Sequence, residues 1–154
     1  MGLRLRIARR IGVVALITFA LDQASKIFVI HGLSLPEVGR IDVAPPYLVL
    51  TMAWNRGINF GIGAGADLRW VLIAVAVAVS AALALWVLVR AKRRVATGTG
   101  LVIGGALGNV LDRVQYGAVA DFLNMSCCGI DNPFAFNVAD TAIFLGAAVI
   151  ALRA

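Results

Sequence analysis

The chain has 154 residues, of which 61% are hydrophobic and only 14% are charged. Because soluble domains carry about a quarter charged residues, this composition and the mean hydropathy of +0.92 exclude an ordinary soluble protein and indicate a membrane protein. The formal net charge of +6 comes from separate basic clusters at the margins of apolar stretches, and we therefore predict no nucleic-acid partner.

Four apolar stretches predict membrane-spanning helices, at residues 11–30, 70–89, 97–116 and 134–152. About 20 residues are needed to cross the roughly 30 Å hydrocarbon core of a bilayer. The second stretch meets this length without interruption, whereas the others are short or contain polar residues. We predict one domain over residues 1–154, an all-α membrane protein built as a bundle of four transmembrane helices.

A cleaved signal peptide is the alternative for the first stretch, which follows a basic start. Asp22, Gln23 and Lys26 lie where the cleavage region would end, and apolar sequence resumes at Ile27. We therefore favour a retained first helix.

The basic residues predict the topology of the chain. They cluster at the start, in the link between the second and third stretches, and at the end: Arg4, Arg6, Arg9, Arg10, Arg90, Lys92, Arg93, Arg94 and Arg153. The positive-inside rule then places both termini and the link at residues 90–96 in the cytoplasm.

Residues 31–69 would then lie outside the cytoplasm. A helix there is broken by Pro36, Pro45 and Pro46. The apolar, partly β-branched run at residues 47–53 ends at Asn55-Arg56-Gly57, which predicts a strand followed by a turn. We predict a small extracytoplasmic β-containing segment between helices 1 and 2, with a flexible approach to the second span at Gly61, Gly63 and Gly65.

The third stretch carries glycines at four-residue spacing, Gly100, Gly104 and Gly108. In lipid, such small residues let helix backbones approach closely. Phosphate binding is the alternative, but no lysine follows the glycines as a P-loop requires. We predict a closely packed helix that ends at Gly117.

Polar residues of three spans are predicted to lie at one depth. With a rise of about 1.5 Å per residue, Asp22, Arg113 and Asp140 lie about 18, 24 and 20 Å from the cytoplasmic ends of their spans. That layer is about 5–10 Å beneath the far surface of the hydrocarbon core. Asn109 lies on the same stripe as Arg113, one turn earlier. Beyond Gly117 the chain can return Asp121 to this layer.

Carboxylates at this depth are costly unless they are paired or functional, so Asp121 and Asp140 indicate acid–base chemistry. Local roles are the alternatives. Asn137 and Asp140 have the spacing of a capping box, and both roles are compatible. Asp22 and Lys26 have the spacing of a structural ion pair, and we predict that Asp112 orients Arg113.

The chain offers little for metal or nucleophilic chemistry. His31 is the only histidine, and Cys127 and Cys128 are adjacent, an arrangement in which we expect the side chains to diverge. Neither a metal site nor a Ser-His triad is supported. We predict no metal and no cofactor.

Four runs of residues, in chain order, resemble the motifs of the lipoprotein signal peptidases (type II signal peptidases). Asp22-Gln23-Ala24-Ser25-Lys26 resembles the family's Asp-Gln-x-x-Lys motif. Residues 55–61 are similar to Asn-x-Gly-x-Ala-Phe, with Asn59 where alanine is usual. Residues 108–113 with 117–122 resemble the third motif, and residues 136–140 resemble the fourth.

This resemblance implies an aspartic endopeptidase of the bacterial inner membrane. Its substrate would be a prolipoprotein whose cysteine carries a diacylglyceryl group, and it would cut just before that cysteine. Asp121 and Asp140 match the catalytic pair of the family. The supporting residues would be Asn55, Asn109, Arg113 and Asn137, with Asp22 as a further important position. We expect a monomer in contact with membrane lipid, with its active site towards the periplasmic side.

Two other functional classes compete with this interpretation. A small proton-coupled transporter also uses intramembrane acids, but it would more naturally place its key acid near the midplane of a helix. A structural membrane subunit would leave the common polar layer unexplained.

Overall fold

The computed structural model of the protein describes residues 2–57 and 68–153. Within these ranges, five α-helices lie at Leu3–Ile27 (α1), Leu35–Val38 (α2), Arg69–Val89 (α3), Ala96–Tyr116 (α4) and Val138–Arg153 (α5). A π-helical turn at Phe28–Gly32 continues α1, and a 3-10 turn at Arg93–Val95 leads into α4. Three strands lie at Arg40–Ala44 (β1), Leu48–Asn55 (β2) and Val119–Asn124 (β3).

Three helical segments of the described chain are long and apolar enough to cross a membrane: Leu3–Gly32, Arg69–Val89 and Arg93–Tyr116. The predicted second and third spans agree with α3 and α4 to within one residue. The first helix begins at Leu3 rather than residue 11, because its arginines are good helix formers and extend it towards the N-terminus.

The predicted start of the fourth span is wrong by four residues. Phe136 pairs with Leu123 in an isolated antiparallel bridge, which keeps this part of the chain extended. The helix α5 therefore begins only at Val138 and has 16 residues, a length of about 24 Å. The helix α5 is therefore shorter than the three helical segments that are long enough to cross a membrane.

Helix α4 packs closely against α1 on one face and α5 on the other. A Cβ atom at Gly100 would lie 2.7 Å from the Cβ of Val14 on α1, and one at Gly105 would lie 2.6 Å from the carbonyl oxygen of Ala139 on α5. The predicted close packing is therefore confirmed. The end of this helix is also confirmed, because Gly117 caps it in the left-handed conformation with φ of 75°.

The three strands form one antiparallel sheet in the order β1-β2-β3. Strand β2 confirms the strand predicted at residues 47–53, whereas β1 and β3 were not predicted. In the register of β2 and β3, Ala53 pairs with Asp121 and Asn55 pairs with Val119. The sheet thereby brings the end of β2 beside the first aspartate of the predicted pair. Gly61, Gly63, Gly65 and Asn59 lie outside the described residues.

An apolar cluster fixes this sheet to the end of α1. Its buried members are Val29 of the π-helical turn, Leu35 of α2 and Phe122 of β3. Farther along β3 the chain reaches the two cysteines, whose side chains converge rather than diverge. Both are free thiols, the Sγ of Cys128 lies 2.8 Å from that of Cys127, and Cys128 has a positive φ of 59°.

Candidate active site

Asp121 and Asp140 reach one site from different elements. Asp121 lies within β3 and is only 3% exposed, and Asp140 lies in the first turn of α5. Asn137, which is fully buried, joins them. Its Nδ2 donates to Oδ1 of Asp121 at 2.7 Å, and its Oδ1 accepts from the backbone N–H of Asp140 at 2.8 Å.

The predicted capping box at the start of α5 is present. The carboxylate of Asp140 accepts from the backbone N–H of Asn137 at 3.3 Å, which completes the reciprocal pair of hydrogen bonds. The same asparagine therefore begins the helix and contacts the second carboxylate. The capping role is therefore confirmed, and it leaves the carboxylate of Asp140 beside that of Asp121 through Asn137.

Two further asparagines occupy the remaining carboxylate oxygens. Asn55, at the end of β2, donates to Oδ2 of Asp121 at 3.0 Å. Asn109 of α4 donates to Oδ1 of Asp140 at 3.0 Å and accepts from Nδ2 of Asn137 at 3.2 Å. Among residues 2–57 and 68–153, each carboxylate oxygen accepts one amide hydrogen bond, and a carboxylate oxygen can accept a second from water or substrate.

A buried ion network lies beneath the two candidates. Lys26 of α1 contacts Asp22 at 2.8 Å and Asp112 at 2.7 Å, and all three residues are at most 2% exposed. The predicted ion pair of Asp22 and Lys26 is confirmed. Asp112 does not orient Arg113 through a direct contact among the described residues: its carboxylate contacts Lys26 on another helix and acts on the adjacent Arg113 through its charge.

Both carboxylates of this network hold the backbone just before a candidate catalytic residue. Asp112 accepts from the backbone N–H of Ala120 at 3.1 Å, one residue before Asp121. Asp22 accepts from the backbone N–H of Ala139 at 2.9 Å, one residue before Asp140. Among the described residues, Asp22 therefore contacts the site through the backbone of Ala139 and forms no hydrogen bond with the carboxylate of Asp121 or Asp140.

Sequence reasoning missed Gln23 and the central place of Lys26 in this network. Gln23 Nε2 lies 3.1 Å from Oδ2 of Asp22 and 3.2 Å from Oδ1 of Asp112, so it spans both carboxylates. The sequence feature that could have revealed the contact of Lys26 with Asp112 is the common depth of these two residues in their helices. Gly108 lets α1 approach α4 closely at this point, because a Cβ atom on Gly108 would collide with the carboxylate of Asp22.

Arg113 lies at the edge of the site with donor capacity to spare. One guanidinium nitrogen donates to the backbone carbonyl of Asn109 at 3.3 Å. Its buried Nε has no hydrogen-bond partner among residues 2–57 and 68–153. The guanidinium interacts electrostatically with Asp112 first, and also with Asp140 and Asp121. Arg113 therefore lies near Asp121 and Asp140. Among the described residues it forms no direct ion pair with either of them.

The environment of Asp121 favours a bound proton. This residue lies on β3, outside the membrane-spanning helices, and burial raises the pKa of its carboxyl from 3.8 to about 6. The hydrogen bond from Asn55 lowers this pKa, whereas the charge of Asp140 raises it further. Asp121 therefore keeps its proton to a higher pH than an ordinary surface aspartate does.

An open cavity of about 270 Å³ lies beside β2 and the end of α4. It is lined by Trp54, Arg56, Tyr116 and Ala118, and the rings of Trp54 and Tyr116 are 5.2 Å apart. Trp54 precedes Asn55 and pairs with Ala120, so the cavity adjoins the strands that carry the site.

The sequence profile of the signal peptidase (SPase) II family matches residues 14–154. The chain belongs to this family. The lipoprotein signal peptidase of Rhodopseudomonas palustris is 40% identical over 147 residues, covering 92% of this chain and 89% of that protein. That of Caulobacter vibrioides is 40% identical over 147 residues, covering 90% and 82%.

Solved structures agree with this membership. A bacterial membrane enzyme determined by the in meso method at 1.9 Å resolution superposes with a TM-score of 0.77 and 26% identity, covering 91% of this chain and 88% of that chain. As a member of the signal peptidase II family, the chain is a protease of lipoprotein processing and a bacterial membrane protein. The predicted enzyme class is confirmed, and the transporter hypothesis has no support.

Proposed function

We propose that this chain is an aspartic endopeptidase that removes signal peptides from diacylglyceryl-modified prolipoproteins and cuts before the lipidated cysteine. The observation that carries the proposal is the pair of carboxylates, Asp121 and Asp140, joined through the buried Asn137. The names of the relatives support the substrate class, because both are lipoprotein signal peptidases.

The pair would act through one shared proton, because two neighbouring carboxylates do not both ionise cheaply. Burial raises the pKa of Asp121 to about 6, which favours Asp121 as the carrier of the shared proton. Asp140 would then remove a proton from water as the water oxygen attacks the scissile carbonyl carbon. Asp121 gives its proton to the carbonyl oxygen, and a neutral tetrahedral diol forms.

Collapse of this diol returns both groups to their starting states. Asp140 donates its newly acquired proton to the departing amine of the cysteine, while Asp121 takes back a hydroxyl proton as the new carboxyl group forms. No enzyme-bound covalent intermediate arises. The two roles exchange through the common proton, so the titration belongs to the pair.

The other predicted site residues hold this geometry. Asn55, Asn109 and Asn137 orient the carboxylates through the hydrogen bonds described above. Arg113, whose buried Nε has no hydrogen-bond partner in the part of the chain that the structure describes, would donate to a carbonyl of the substrate peptide. Asp22 would act through the backbone of Ala139, as a positioning residue.

We further propose a single domain with four spans, in which α5 is the last. The 16 residues of α5 extend about 24 Å, so a helix that begins at the cytoplasmic surface stops about 6 Å short of the far side of a 30 Å core. Asp140, at its other end, would lie beneath the periplasmic surface. That depth suits a peptide bond beside a lipid-anchored cysteine.

The basic clusters support the remaining features of this arrangement. Both termini would face the cytoplasm of a bacterium, in its inner membrane, and the site would open towards the periplasmic side. The enzyme would act as a monomer in contact with membrane lipid.

The test is incubation of the purified protein with a synthetic precursor peptide that carries a diacylglyceryl cysteine, followed by mass spectrometry of the products. The assay contains a strong chelator, since the proposed chemistry uses no metal. We expect cleavage before the lipidated cysteine, and little cleavage of the same peptide without the lipid. An intact lipidated peptide, or a cut elsewhere, would contradict the proposal.

A further inference from the structure

A second cavity, of about 450 Å³, lies at the opposite end of α1 from the ion network. It is bounded by the first turns of α1 and by the 3-10 turn before α4. Four arginines and several apolar residues line it, among them Arg6, Arg9, Arg10, Arg93, Val13 and Val14. We call it the arginine groove. Arg6 and Asp22 are about 24 Å apart along the helix, so the groove is separate from the candidate active site.

The positive charge of the arginine groove has no acidic counterpart nearby in the sequence. All eight acidic residues of the chain lie within residues 22–67 and 112–140. Among the described residues, none of the four arginines of the groove forms an ion pair. Helix α1 also has no acidic residue in its first turn, where the helix dipole is positive. The groove therefore carries a positive charge that no carboxylate of the described residues balances through an ion pair.

The groove changes from charged to apolar along one face of α1. Arg6, Arg10 and Val13 follow one another at spacings of four and three residues, and this stripe covers about 10 Å. All three side chains are exposed, and Val13 is 50% exposed. A phosphate at the arginines would therefore be continuous with an acyl chain along the valines, which is the order of groups in a phospholipid.

The geometry points to a binding site for one anionic glycerophospholipid, with its phosphate held by Arg6, Arg10 and Arg93 and an acyl chain against Val13 and Val14. A guanidinium group can donate two parallel hydrogen bonds to the oxygens of one phosphate. This paired geometry distinguishes a bound lipid from a diffuse attraction to the membrane surface. Basic pockets between transmembrane helices bind anionic headgroups in the same manner. The lipid would join the start of α1 to the turn before α4.

Native mass spectrometry of the full chain in detergent tests this site, with dioleoyl phosphatidylglycerol as the probe and dioleoyl phosphatidylcholine as the zwitterionic comparison. The double variant Arg6→Gln/Arg10→Gln should weaken binding of the anionic lipid by about tenfold. Arg4→Gln/Arg94→Gln removes the same charge from exposed residues outside the groove and should change binding by less than about twofold.

A pair of single variants covers the case in which the first double variant fails to fold. Arg93→Gln should weaken binding of the anionic lipid, whereas Arg90→Gln should not, because Arg90 does not line the groove. Inorganic phosphate at the same concentration should not displace the lipid, since it lacks the acyl chain. Equal losses in groove and control variants, or complete displacement by phosphate, would overturn the proposal. Peptidase activity is not measured, so this result is independent of the proposed function.

Discussion

Lys26 on α1 and Asp112 on α4 form a buried ion pair at 2.7 Å, directly beneath the two candidate catalytic aspartates. Lys26 also contacts Asp22, so one cation holds two carboxylates. Each carboxylate in turn accepts a backbone N–H one residue before Asp121 or Asp140. The spacing of the candidate pair is therefore tied to a single ammonium group.

Replacement of this cation tests its supporting role. Lys26→Met leaves Asp22 and Asp112 as uncompensated buried carboxylates, and we expect the free energy of unfolding to fall by about 3–5 kcal/mol. Adding Asp22→Asn should restore part of this loss, because asparagine removes one charge and keeps an oxygen acceptor for Ala139. Denaturant unfolding in detergent measures both changes.

The matched control for Lys26 is Arg40→Met, which breaks the exposed ion pair of Arg40 and Asp42. Such surface pairs contribute at most about 1 kcal/mol, so this variant should unfold almost as the parent does. A Lys26→Met protein as stable as the parent would show that the network does not support the site.

The pH dependence of cleavage should follow the proton on Asp121. Its pKa of about 6 lies above the ordinary value of 3.8, so the protonated form is lost as the pH rises through about 6. We therefore expect kcat/KM to fall on the alkaline side with an apparent pKa near this value. Because Asn55 lowers the pKa, Asn55→Ala should move this limb to higher pH.

The control for that shift is Asn124→Ala, which removes an asparagine from the same sheet without touching either carboxylate. Asn124 instead donates to the backbone carbonyls of Asn132 and Phe134. Its pH profile should match the parent. An alkaline limb that stays in place in Asn55→Ala would mean that Asp121 does not govern it.

Arg113→Lys tests whether geometry or charge is needed at the edge of the site. A guanidinium offers two donors in a fixed plane, whereas an ammonium is a point charge. We expect turnover of a lipidated precursor to fall by about tenfold or more, while Arg40→Lys leaves it unchanged. Turnover equal to the parent would show that a positive charge alone suffices at residue 113.

Reporter fusions test the proposed topology. A reporter fused after Arg153, or inserted near Thr97, should report the cytoplasm, and one inserted near Val43 should report the periplasm. A periplasmic C-terminus would reverse α5 and remove the basis for the depth proposed for Asp140.

The parts of the fold that follow from local pattern were predictable. The uninterrupted apolar sequence of α3 and the glycine spacing of α4 gave both helices to within one residue. Helix rise places Asp22, Arg113 and Asp140 at one depth, whereas the roles of Asp121 and of the supporting asparagines came from the resemblance to the lipoprotein signal peptidase motifs. The structure brings them together in one network with the asparagines.

The parts that depend on non-local contacts were not predictable from the sequence. Strand β3 is buried along most of its length, so it has no alternation of apolar and polar residues, and its pairing with β2 joins distant segments. Asp112 was assigned to Arg113 because they are adjacent. Neighbouring helical residues point about 100° apart, so Asp112 and Arg113 face different neighbours. The absence of a side chain at Gly108 lets Asp22 of α1 lie against α4, where Lys26 of the same helix contacts Asp112.

Cleavage of a diacylated precursor by Asp121→Asn and Asp140→Asn tests the central proposal most directly. Asparagine preserves the size of each side chain but cannot exchange the proton, so each variant should lose cleavage by about a hundredfold or more while it still inserts into the membrane. Asp131→Asn, at an exposed loop position, should cleave as the parent does. Cleavage near the parent rate by either Asp121→Asn or Asp140→Asn would contradict the proposed catalytic pair.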